Sequence, residues 1–150
     1  MIKIKRTLLL TAFVWAGLSA NAQQDDKQEK IKALKVAFFT EQLKLTPEEA
    51  SVFWPIYNAH EADKEALRNA QRREVFQRVG AGDYTEAEAR AILTRNDELE
   101  AQEEQLDRQF HRKMAETFSA SRTLQLFKAE YDFRRRLLNE FRKRGGGEKP

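Results

Sequence analysis

Leu45-Thr46-Pro47-Glu48-Glu49-Ala50-Ser51-Val52-Phe53-Trp54-Pro55-Ile56-Tyr57 is the stretch that decides the fold. Thr46 is a favoured N-cap, because its hydroxyl accepts a hydrogen bond from one of the backbone N–H groups that a helix start leaves unpaired. Pro47 falls at the first helical position, where a missing N–H costs nothing. Glu49, three residues after Thr46, completes a capping box. Val52, Phe53, Ile56 and Tyr57 then recur at helical spacing, and Leu67, Val75, Phe76 and Val79 continue the series. The pattern predicts a helix from Pro47 to about Val79. Pro55 removes one of its hydrogen bonds and crowds the preceding turn, so a kink is expected near Phe53-Trp54.

Working outward, Lys30 to Lys44 reads as a preceding helix, with Ile31, Leu34 and Phe38 at helical spacing and Phe39 and Leu43 beside them. Gly80-Ala81-Gly82-Asp83 is a break, with Gly80 placed to take the left-handed conformation that stops a helix. Thr85-Glu86-Ala87-Glu88 is a second capping box. The helix it opens is expected to end near Thr117, on a sparse seam of Ile92, Leu99, Leu106, Phe110 and Met114. Ser119 caps a fourth helix to about Lys143, with Leu124, Phe127, Tyr131, Leu138 and Phe141 as its seam and Phe133 and Leu137 adjacent. No segment combines two-residue alternation with turn chemistry at its ends, so no strand is expected. The expectation is an all-α protein of four amphipathic helices in long, thin hairpins, one domain over 23–144 with a disordered tail at 145–150.

The N-terminus reads as an export signal. Lys3, Lys5 and Arg6 precede an apolar run from Thr7 to Leu18, and Ala20-Asn21-Ala22 supplies the small-residue pattern for cleavage before Gln23. That run is too short to span a bilayer, and no later stretch is apolar enough to do so. The chain carries 27 basic and 24 acidic residues; three of the basic ones lie in 1–22, so the remainder holds 24 of each. A neutral mature chain lacks the charge excess of a nucleic-acid binder. Its charge is segregated: residues 83–118 hold ten acids and five bases, and residues 119–150 nine bases and four acids. If the third and fourth helices pack as an antiparallel pair, the opposite signs help choose partner and register. With no cysteine, stability rests on the apolar core alone.

No enzymatic constellation stands out. Cysteine nucleophile, glycine-rich phosphate loop and GxSxG elbow are all missing, and neither catalytic residues nor a cofactor are expected. His60 and His111 are the only histidines, weak candidates for a metal site that would need carboxylates from a second helix. Two surfaces are candidates for contact with another protein. One is the aromatic cluster around Trp54 and Tyr57; the other is Phe133-Arg134-Arg135-Arg136, cations interleaved with apolar groups.

Leu45-Thr46-Pro47-Glu48-Glu49 resembles the LTxxQ motif of the Spy/CpxP-like family of periplasmic proteins, with Glu49 in place of Gln. The family's second copy of the motif would fall at Phe118-Ser119-Ala120-Ser121-Arg122, where Phe replaces Leu, Ser replaces Thr and Arg replaces Gln. Ser119 keeps the capping function; Arg122 cannot return the capping bond as Gln would. Ile31 to Arg68, and Leu126 through Leu138, are similar to a branch of that family described as periplasmic sensors or sensors of extracytoplasmic-function sigma factors. The resemblance implies a curved four-helix protomer pairing into an antiparallel, cradle-like homodimer. It implies a periplasmic stress-response protein that binds unfolded clients without ATP, or a regulator docking on an envelope signalling protein. Some relatives bind metal through histidines, a third reading that this histidine-poor chain supports least. The partners expected are polypeptides, not nucleic acid.

Overall fold

The computed structural model describes residues 28–145. The signal-peptide reading of 1–22, the cleavage point before Gln23 and the tail after Gly145 lie outside the described residues. Those residues are all-α: α1 (28–42), α2 (Pro47–Gln71), a π-helical turn (Arg72–Phe76), α3 (Gln77–Ala81), α4 (Glu86–Thr117) and α5 (Ala120–Gly145). They form two compact units, one of residues 43–128 and one that joins α1 to the part of α5 from Ala129 onward.

In the 43–128 unit, α2 and α4 form an antiparallel hairpin. Both starts are capped as the sequence predicts: Thr46 and Thr85 each complete a capping box, with Glu49 and Glu88. The helix runs through Pro55 without a break. Near the turn of the hairpin the core is Val75, Ile92 and Leu99, with Leu67 and Ala70 against it. Toward the other end it is aromatic. Phe53 and Tyr57 stack at 5.5 Å, Tyr57 meets Phe110 edge-on, and Phe118 closes on Phe53.

A π-helical turn spans Arg72–Phe76, and Val75 within it is buried in the cluster with Ile92 and Leu99. Phe76 and Val79, expected in the seam, are turned to solvent instead. Val52 also stands outside it. Ion pairs tie α4 to α2 and to the π-helical turn. Lys64 binds Asp107 at 2.8 Å and Glu103 at 3.3 Å, and Arg95 binds Glu74 at 2.6 Å. Gln71 donates to Asn96 in the same seam.

In the other unit, Phe39 is fully buried and Phe133 packs edge-on against it at 5.8 Å, with Phe38 at 5.6 Å from Phe133. Leu34, expected to face inward, is exposed. For α5 the expected face is reversed. Leu124, Phe127, Tyr131, Leu138 and Phe141 are exposed, and the buried positions are Thr123, Leu126, Ala129 and Phe133. The helix has two apolar stripes with the same period. The one that buries contains the small residues Ala129 and Thr123, and the Thr123 hydroxyl donates to the Ser119 carbonyl at 2.9 Å.

Gly82, not Gly80, ends the hairpin's first arm: its φ of 76° is left-handed, while Gly80 lies within α3. Neither glycine has an atom within 4 Å of the place an added Cβ would take. The two positions therefore respond oppositely to alanine. Gly82→Ala is expected to destabilise by about 1 kcal/mol through its positive φ. Gly80→Ala is expected to stabilise by about 0.5–1 kcal/mol. Chemical denaturation followed by circular dichroism measures both.

Candidate functional site

The two helix-start motifs meet. The Thr46 hydroxyl accepts from the Glu49 N–H at 3.2 Å, and the Thr46 N–H donates to Glu49 Oε2 at 3.0 Å. The Ser119 hydroxyl accepts from the Arg122 N–H at 3.1 Å, so Ser119 caps α5 as the sequence indicates. Arg122 then reaches back: its Nη2 donates to Glu49 Oε2 at 2.9 Å. The two positions at which the sequence departs from the motif's Gln thus carry opposite charges and pair with each other. The Thr46 backbone N–H, with help from Arg122, holds the Glu49 carboxyl below the usual range. Glu48, Glu49, Val52, Thr117, Phe118 and Arg122 line an open cleft of about 380 Å³ at this junction. Leu45, the first motif residue, is only half-buried.

His60 is buried. Its ring lies flat on Phe110, with centroids 3.9 Å apart and planes within 1°. Nε2 stands 3.2 Å from Asp107 Oδ1, and Nδ1 is buried with no hydrogen-bond partner. The same Asp107 receives Lys64 at 2.8 and 3.0 Å. Burial in this apolar seam is the main reason the His60 pKa lies below its ordinary value; Lys64 and His111 push the same way and Asp107 opposes them. Burial also weighs against the charge on Lys64, but Asp107 and Glu103 outweigh it and raise that pKa. His111 is half-buried and meets the Phe127 ring at 4.5 Å. Among the described residues no group of three or more His, Asp or Glu side chains is arranged to hold a metal ion.

Two residues proposed for protein contact belong to the core instead. Tyr57 is buried between Phe53 and Phe110, and Phe133 against Phe38 and Phe39. Helical spacing puts both rings on the faces where their helices pack. Trp54 is half-buried, edge-on to Phe53 and Tyr57. Arg134, Arg135 and Arg136 are all exposed. Arg136 lies over the Phe38 ring at 5.9 Å, and Arg135 lies over Tyr131 and approaches Asp132 at 3.6 Å.

The surface that sequence reading missed is at the turn of the α2–α4 hairpin. Phe76 is 58% exposed and Leu93 64%, and Val79 and Tyr84 are nearly half exposed. A constant α-helical period places Phe76 and Val79 in the seam; the π-helical turn over Arg72–Phe76 breaks that period.

Comparison with protein-family models, with curated proteins and with solved structures finds no match to this chain. The likeness to LTxxQ proteins therefore stays a likeness of short motifs.

Two outcomes follow for stability. Free His60 in the unfolded chain binds a proton more tightly than buried His60, so protons favour unfolding. The His60 contribution is fully present above the ordinary histidine value of 6.5 and declines as pH falls below it. Denaturation at stepped pH between about 7.5 and 5 should show that decline, and His60→Phe should remove its share; an equal slope in the variant contradicts the assignment. For the motif pair, Glu49→Gln or Arg122→Gln alone should destabilise, because each leaves the other charge without its partner. The double variant should be more stable than the sum of the singles, with the coupling shrinking in high salt.

Proposed function

We propose that the protein acts in the periplasm, exported through its N-terminal segment, as a stress-response protein that binds unfolded or partner polypeptides without nucleotide. The observation that supports this reading best is the end of the α2–α4 hairpin. A well-formed core of Val75, Ile92 and Leu99 holds the backbone there, while Phe76, Val79, Tyr84 and Leu93 remain in water. Large apolar groups that a folded unit leaves outside its own core are what a non-native chain, with its own apolar groups unburied, can use. The surroundings suit many sequences. Arg78 pairs with Glu88 and Arg90 with Glu86, so the surface around these groups is polar, charged in both signs and selective for no one sign.

The export segment, the motif-like helix starts and the absence of an enzymatic constellation fit the same reading. Two sets of residues divide the labour in this reading. Thr46, Glu49, Ser119 and Arg122 fix two helix starts, and the hairpin end offers the contact groups. The homodimer implied by the family resemblance belongs to this proposal as well.

The test is suppression of aggregation of a chemically denatured model protein. The wild-type chain at several-fold excess is expected to reduce light scattering. The pair Phe76→Ser with Leu93→Ser, both exposed and so expected to leave the fold intact, should lose most of that effect. Full suppression by the double variant would move the contact surface elsewhere, and none by the wild type would end the reading.

A further inference from the structure

The part of α5 that packs with α1 turns Ala129 and Phe133 inward. Its opposite side carries Tyr131, Arg134, Leu138 and Phe141, three, four and three residues apart, so they form one stripe along the helix. Tyr131 is 63% exposed, and Leu138 and Phe141 at least half. Arg135 and Arg142 follow Tyr131 and Leu138 by four residues each and border that stripe, and both are exposed. Of the acids nearby, Asp132 is drawn to Arg135 at 3.6 Å and Glu140 to Lys143 at 3.8 Å, while half-buried Glu130, one turn before Arg134, lies at the edge of the stripe. From Tyr131 to Arg142 the stripe runs about 17 Å, three turns of helix.

We infer that this face docks on an anionic lipid surface, with α5 lying in the plane of the headgroups. A helix with one apolar stripe bordered by arginines, with an aromatic at each end, has the pattern of an interfacial helix. Arginine stems lie along the apolar groups while their guanidinium groups reach phosphates at the same level. The tyrosine ring suits a boundary where one end is apolar and the other wet. Two other occupants fit less well. A second copy docking through the same stripe sets arginines against arginines. An extended peptide docks into a groove or onto a sheet edge, and this stripe is the convex outer surface of one helix. No helix among the described residues is long and apolar enough to cross a membrane, so the contact is a surface one. The inference does not depend on the polypeptide-binding reading, whose contact groups are Phe76 and Leu93.

The chain has no cysteine, so one introduced thiol is labelled cleanly. Leu138→Cys, carrying an environment-sensitive fluorophore, reports on the face; Arg90→Cys, labelled alike on an exposed part of α4, is the control. With vesicles of equal parts phosphatidylglycerol and phosphatidylcholine, a blue shift is expected at position 138 and none at 90. Neutral phosphatidylcholine vesicles should leave both unshifted, and salt at about 1 M should reverse the shift. Adding Arg134→Gln, Arg135→Gln and Arg142→Gln together should weaken partitioning by about 100-fold. Several results would overturn the inference. One is an unshifted label at 138 with anionic vesicles, which is also the outcome if only the N-terminal apolar run inserts. Another is an equal shift on neutral lipid. A shift at 138 without vesicles, on raising protein concentration or adding polyglutamate, assigns the face to a second copy or an acidic polypeptide instead.

Discussion

One constraint shapes the whole molecule: about a third of its residues are charged, so each helix can bury only a narrow stripe. The α2–α4 hairpin shows how such a stripe is made sufficient. Aromatic rings stack at one end, aliphatic side chains interdigitate at the other, and between them Lys64 and Asp107 satisfy each other across the seam. Removing Lys64 would leave Asp107 and Glu103 facing each other without their cation. His60 sits at the same place with one ring nitrogen unpaired.

Much of this was legible in the residues. Thr46-Pro47-Glu48-Glu49, Thr85-Glu86-Ala87-Glu88 and Ser119 located three helix starts because capping is local chemistry, decided within four residues. Phe53, Tyr57, Ile92, Leu99, Phe110 and Met114 were legible as apolar seam positions. What failed was the choice between equivalent faces. α5 offers two apolar stripes of the same period, and the larger one, from Leu124 to Phe141, is the one left outside. Side-chain size pointed to that stripe, whereas the buried one runs through the smaller Ala129 and Thr123. The π-helical turn was hidden for a related reason: a period-based reading assumes constant twist, and the turn over Arg72–Phe76 departs from it.

The motif positions show what sequence and structure say together that neither says alone. Glu49 and Arg122, taken singly, look like losses from a glutamine motif. Seventy-three residues apart in the chain and 2.9 Å apart in space, they form one charge-assisted bond that links two capped helix starts. The same separation of roles runs through the proposed activity. Residues that hold the backbone are buried or paired, and those offered to a partner, Phe76 and Leu93 foremost, project from a rigid support and need no rearrangement to be reached.

The central claim is that non-native chains are met by the hairpin end and not by the protein at large. Photo-crosslinking tests it most directly, with benzoylphenylalanine at position 76 compared with the same group at Arg90, exposed but outside the apolar set. In the presence of a denatured polypeptide the account predicts adducts from position 76 and few from position 90. Equal yields from the two positions, or none from position 76, would contradict it.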